Sequence, residues 1–157
     1  MISSTERNLR LEQLMPLILE RLEAGQTVTF SPRGVSMLPM LRQGMDTVEL
    51  SPVPERLNKY DLPLYQRKSG QFVLHRIVAV TDAYTCVGDN QFELEYPLYH
   101  DQMLALVTAF TRNGRRISVQ NPMYQLYCRF WHLSRPIRRF WRRGKGWLRR
   151  KLAKPSP

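Results

Sequence analysis

The sequence predicts a mainly β domain: an antiparallel, barrel-like set of short strands with a helix before it and a basic amphipathic helix after it. Three observations carry this. Short apolar or alternating runs recur between turn clusters rich in Gly, Pro, Ser and Asp. Asn113-Gly114 separates two such runs, and both turn positions favour positive φ, so it marks a hairpin. Helical spacing of apolar residues occurs only near the two ends of the chain.

Residues 5–24 read as an amphipathic helix, with Leu11, Leu14, Ile18 and Leu22 on one stripe. Pro16 is expected to kink or split it, and Gly25 to stop it in a left-handed cap. Strands are expected at Gln26–Phe30, Asp46–Leu50, Leu62–Gln66, Phe72–Val80 and Tyr84–Val87. Two longer runs, Met103–Thr111 and Arg115–Val119, flank the hairpin turn. From Leu126 the apolar residues return to helical spacing through Phe130, Leu133, Ile137 and Phe140 or Trp141, with Pro136 kinking the helix or starting a second one. This divides the 157 residues into an N-terminal helix (1–24), a β domain (25–120) and a basic aromatic tail (121–157).

The charge is uneven. All 13 acidic residues lie at or before Asp101, whereas the net charge of +11 is carried between Arg129 and Lys154. That segment also holds Phe130, Trp131, Phe140, Trp141 and Trp147. A basic face beside a Trp/Phe/Leu face describes a helix lying in a membrane interface. Phe130, Trp131, Arg138, Arg139, Trp141, Arg142, Arg143 and Trp147 are the expected contacts with an anionic membrane surface or a partner. Nucleic acid is the rival, through phosphate neutralisation and stacking. No apolar run is long enough to cross a bilayer and no secretory leader is visible, so the expected location is cytoplasmic, peripheral on the inner face of the membrane. Cys86 and Cys128 lack metal-ligand spacing and are expected as unpaired thiols. No metal or cofactor is expected.

Two motifs carry chemistry. In Gly34-Val35-Ser36-Met37-Leu38-Pro39 a serine sits in a turn that glycine lets pass close to a substrate and proline stiffens. In Val73-Leu74-His75-Arg76-Ile77-Val78 alternation puts Val73, His75 and Ile77 on one strand face. A serine hydroxyl needs a base to take its proton and pre-set donors for the oxyanion. Ser36 and His75 are the candidate pair, and Gly34, Met37 and Pro39 the backbone support. A third motif, Gly88-Asp89-Asn90, is followed by Glu95.

Together these motifs resemble the peptidase domain of type I signal peptidases and their LexA-type relatives over about residues 25–120. The closer likeness is to small bacterial signal-peptidase-like serine peptidases. His75 occupies the position at which bacterial signal peptidases carry a lysine base, so the chain is similar to the histidine-base branch of the endoplasmic reticulum. The resemblance implies an acid six residues beyond Asp89, where this chain has Glu95. Glu95 therefore ranks first, and Asp89 second, as the residue that orients His75. It also implies a glycine before Asp61, where Tyr60 stands. The resulting expectation is a serine endopeptidase that cuts an extended peptide or precursor, such as a leader peptide. The alternatives are a membrane-tethered peptide-binding module without turnover and a nucleic-acid-binding protein.

Overall fold

The structure, a computed structural model, describes residues 11–141. It opens with helix α1 (Leu11–Glu23), which runs unbroken through Pro16. Gly25 ends it with φ +73°, and the Gln26 and Gly25 amides donate to the Arg21 and Leu22 carbonyls, the reciprocal bonds of a left-handed cap. Met15, Ile18 and Leu22 are buried on the body of the domain.

Among the described residues nine strands follow: β1 (Val28–Phe30), β2 (Thr47–Ser51), β3 (Pro63–Gln66), β4 (Phe72–Leu74), β5 (Arg76–Val80), β6 (Tyr84–Val87), β7 (Glu95–Leu98), β8 (Met103–Arg112) and β9 (Arg115–Ser118). They make two antiparallel sheets. The larger has the order β1-β2-β8-β3-β4, with β9 also on β8, and the smaller is β5-β6-β7. β8 is long enough to hold β2 along one edge, and β3 then β9 along the other.

The described strands do not close into a barrel. The reason lies at His75. The run expected as one strand, Phe72–Val80, breaks there into β4, which pairs with β3, and β5, which pairs with β6. The chain changes sheets at that residue, leaving β4 as one edge of the large sheet and β1 as the other.

The larger sheet separates two apolar cores over β3 and β4. Leu64 and Leu74 join one, with α1, β1, β2 and the turn at Met37–Leu41. Their neighbours Tyr65 and Val73 join the other, with Ile77, Tyr84 and Cys86 of the smaller sheet. A turn at Tyr60 enters β3 with φ +78°, a left-handed conformation in a residue with a full side chain. Its amide donates to the Ile77 carbonyl and its own carbonyl accepts from Arg76, which hold the turn in place.

Helix α2 (Pro122–Leu133) begins at an Asn121 cap whose side chain accepts from the Met123 and Tyr124 amides. Ser134 interrupts it, and residues 135–141 are again helical. Backbone bonds from Ser134 to Phe130 and from Arg138 to Ser134 carry the ladder across the interruption. The start of the expected tail is thus packed on the body: Tyr124 and Cys128 lie in the same core as α1.

Candidate active site

Ser36 and His75 line one cleft of about 500 Å³. One wall comes from β1 and the turn after it, including Phe30, Gly34 and Ser36. The other comes from the β4 edge, with Phe72, Leu74 and His75. The opening lies where the large sheet fails to close on itself.

The serine turn is fixed from behind. The Ser36 carbonyl accepts from the Asn90 amide at 2.8 Å, and the Val35 carbonyl accepts from Asn90 Nδ2 at 3.1 Å. A Cβ on Gly88 would stand 2.7 Å from the Ser36 carbonyl oxygen and 3.1 Å from the Ser36 Cβ. Only a residue without a side chain allows that approach. Gly34 adopts φ +91°, which explains glycine at that position. Its amide donates to Gln43 Oε1 at 2.8 Å and is therefore already engaged. Met37 is buried beneath the turn, and the Leu38–Pro39 bond is cis.

His75 is buried to 1% exposure. Its Nδ1 lies 3.0 Å from Glu95 Oε1 and 3.2 Å from the Tyr65 hydroxyl. The Tyr65 and His75 rings meet edge on, with centroids 6.2 Å apart. Glu95 opens β7 and is gripped by Arg67 from the β3–β4 turn: Nε donates to Oε2 at 2.7 Å and Nη2 to Oε1. Arg67 in turn donates to Gln71. Burial lowers the His75 pKa below its ordinary value, outweighing the opposing pull of Glu95. Burial alone would raise Glu95, but the hydrogen bonds of Arg67 prevail and lower it. The outcome is a neutral imidazole beside an ionised carboxylate. In the tautomer that carries its hydrogen on Nδ1, the nitrogen facing Glu95, Nε2 is the acceptor.

Asp89 is placed elsewhere. Both its oxygens are taken by the buried Arg76, at 2.8 Å to Nε and 2.7 Å to Nη2. Arg76 also donates to the Tyr124 hydroxyl at 2.9 Å and to Cys128 Sγ at 3.0 Å, tying α2 to the body. The Asp89 carbonyl accepts from Trp131 Nε1 at 2.9 Å and from Arg138 Nη1 at 3.2 Å, and the Arg138 guanidinium stacks 3.8 Å over the Trp131 ring.

Of the residues expected at an external surface, Phe130, Arg139 and Trp141 are exposed, whereas Trp131 and Arg138 are turned toward the body. Arg142, Arg143 and Trp147 lie outside the described residues. Cys86 and Cys128 are both free and buried, and burial pushes the Cys86 thiol up to about 12. The described residues hold no group of three His, Cys, Asp or Glu side chains arranged for a metal ion.

The chain matches no family model, no curated protein and no solved structure.

The sequence motifs missed Arg67, Tyr65 and Gln43. None carries a local signal. Arg67 stands beside Lys68 in a turn, where a basic pair ordinarily reads as solvated. Its partner is 28 positions away.

Proposed function

We propose that this chain is a serine endopeptidase of the signal-peptidase-like type, with Ser36 as nucleophile, His75 as general base and Glu95 as the residue that orients it. The observation that carries this reading is the contact of His75 with Glu95 in the cleft that Ser36 also lines. The Ser36 hydroxyl gives its proton to His75 Nε2 as its oxygen attacks the scissile carbonyl. The Ser36 amide is the oxyanion donor, since the Gly34 amide is spent on Gln43. Collapse of the tetrahedral intermediate breaks the C–N bond, and His75 returns the proton to the leaving amine. Water then releases the acyl group by the same route in reverse. Glu95 fixes the imidazole tautomer and stabilises the imidazolium as it forms.

The cleft supports an extended substrate. β1 and β4 each offer an unpaired strand edge beside it, so a peptide entering there gains main-chain hydrogen bonds by strand addition. The signal-peptidase/LexA-type fold belongs to this proposal, as does a leader peptide or precursor as substrate and a site on the inner face of the cytoplasmic membrane. Among the described residues, no helix is long and apolar enough to cross a membrane.

The test is mass spectrometry of an extended peptide library incubated with the purified protein and with its Ser36→Ala variant. Cleavage by the wild type alone supports the proposal and defines the scissile bond. Equal products from both proteins overturn it. Peptide retention without cleavage by either assigns the cleft to a binding module.

A further inference from the structure

Helix α2 and the helical residues 135–141 carry two stripes. Tyr124, Cys128, Trp131, Arg135 and Arg138 face the body, and all are buried or half-buried. The second stripe is Met123, Leu126, Phe130, Leu133, Ile137 and Phe140. Its intervals alternate three and four residues, so at 3.6 residues per turn it stays on one narrow face. All six side chains are exposed, from 59% at Leu126 to 77% at Phe140. The apolar periodicity that in most surface helices marks the buried face is here turned to solvent. Six large apolar residues in one exposed row form the kind of patch that marks a docking surface.

The charge decides what docks. No acidic residue follows Asp101, and Arg129 and Arg139 are exposed beside the stripe. Seven further Lys and Arg residues follow in the sequence after Trp141. Pairing two copies along this face would bring like charges together. A surface that is both apolar at depth and anionic at its border satisfies both halves of the face. We infer that Met123, Leu126, Phe130, Leu133, Ile137 and Phe140 seat the protein in the interface of an anionic lipid bilayer, with Trp131 and Arg138 retained by the body. This inference does not depend on the hydrolytic reading of the cleft.

The experiment is co-sedimentation of the full chain with phosphatidylcholine vesicles, with and without phosphatidylglycerol. Two variants accompany it: Phe130→Gln/Leu133→Gln, which removes apolar depth at constant charge, and Arg129→Gln/Arg139→Gln, which removes charge. The changed side chains are exposed, so circular dichroism melts are expected to match the wild type. The wild type is expected to prefer the anionic vesicles. Phe130→Gln/Leu133→Gln should weaken that binding by about tenfold or more, and Arg129→Gln/Arg139→Gln should weaken it on anionic vesicles alone. Equal vesicle binding by wild type and Phe130→Gln/Leu133→Gln overturns the inference. So does a dimer abolished by that variant with no vesicle binding, or tight oligonucleotide binding with no vesicle binding.

Discussion

Glu95 stands 3.0 Å from His75 Nδ1 while Arg67 holds both of its carboxylate oxygens. The guanidinium keeps the carboxylate ionised, and it also opposes protonation of His75. Glu95 acts on the imidazole in the other direction. Two neighbours of opposite charge therefore push the protonation of this imidazole in opposite directions.

Substitution at the two positions should move activity along the pH axis in opposite senses. Glu95→Gln removes the charge that favours imidazolium, so the acid limb of kcat/KM should move to lower pH. The rate should also fall by about 10²-fold or more as the tautomer is freed. Arg67→Gln removes the charge that opposes imidazolium, so its acid limb should move to higher pH. Pre-steady-state or steady-state pH profiles on a cleaved peptide check both.

His75 should also be visible in stability against pH. Its folded pKa is depressed below the ordinary 6.5 by burial. Between the two values the unfolded chain binds a proton that the folded chain does not, so stability rises with pH through that window. It should be complete above the ordinary value and lost as pH falls through the folded one. Urea midpoints across this range test it, and His75→Gln should remove this component of the slope.

Asp89 should behave as a structural carboxylate. Arg76→Met leaves it buried without a partner, which should cost about 3–5 kcal/mol of stability. Adding Asp89→Asn should recover part of the loss. Asp89→Asn alone should lower the melting temperature and move the acid limb to lower pH by less than Glu95→Gln does, because the Asp89 charge acts on His75 more weakly than that of Glu95.

Gly88→Ala tests the backing of Ser36. The added methyl meets the Ser36 backbone at 2.7 Å, so the turn must shift. A loss of about 1–3 kcal/mol is expected from the overpacking, together with a fall in kcat larger than the loss of folded protein explains. Denaturant titration and hydrolysis assays on the same sample separate the two.

Neither cysteine should react. Cys86 is buried with its thiol pushed up to about 12, and Cys128 is buried against Arg76 with its own thiol raised by burial. Intact-mass measurement after iodoacetamide at neutral pH should show the native protein unmodified, and activity should be unaffected.

The strands were legible in the sequence where one face is apolar and turns bound the run, as at Tyr84–Val87, or where a hairpin turn flanks it, as Asn113-Gly114 does Arg115–Ser118. β7 was not legible, because Pro97 lies within it and proline ordinarily argues against a strand. It is tolerated because β7 is an edge, paired only with β6. The break at His75 left no local trace either: apolar residues continue on both sides, and only pairing with different partners divides the run. Asp89 and Glu95 could not be ranked from residue chemistry, since Arg76, which claims Asp89, is the immediate neighbour of His75. The tail showed its stripe plainly. Which face is buried depends on Tyr124 and Cys128 finding Arg76, a contact across about fifty residues.

The Asp89 carbonyl, held by Trp131 and Arg138, belongs to the turn whose Asn90 and Gly88 brace Ser36. The C-terminal segment is therefore no interchangeable cassette. Trimming the chain at residue 121 would strip Arg76 of two partners and the serine turn of its outer clamp, so a silent truncation would say nothing about where the protein resides. One helix thus holds both the buried Arg76 and the turn behind Ser36, so a change on its inner face is felt at both.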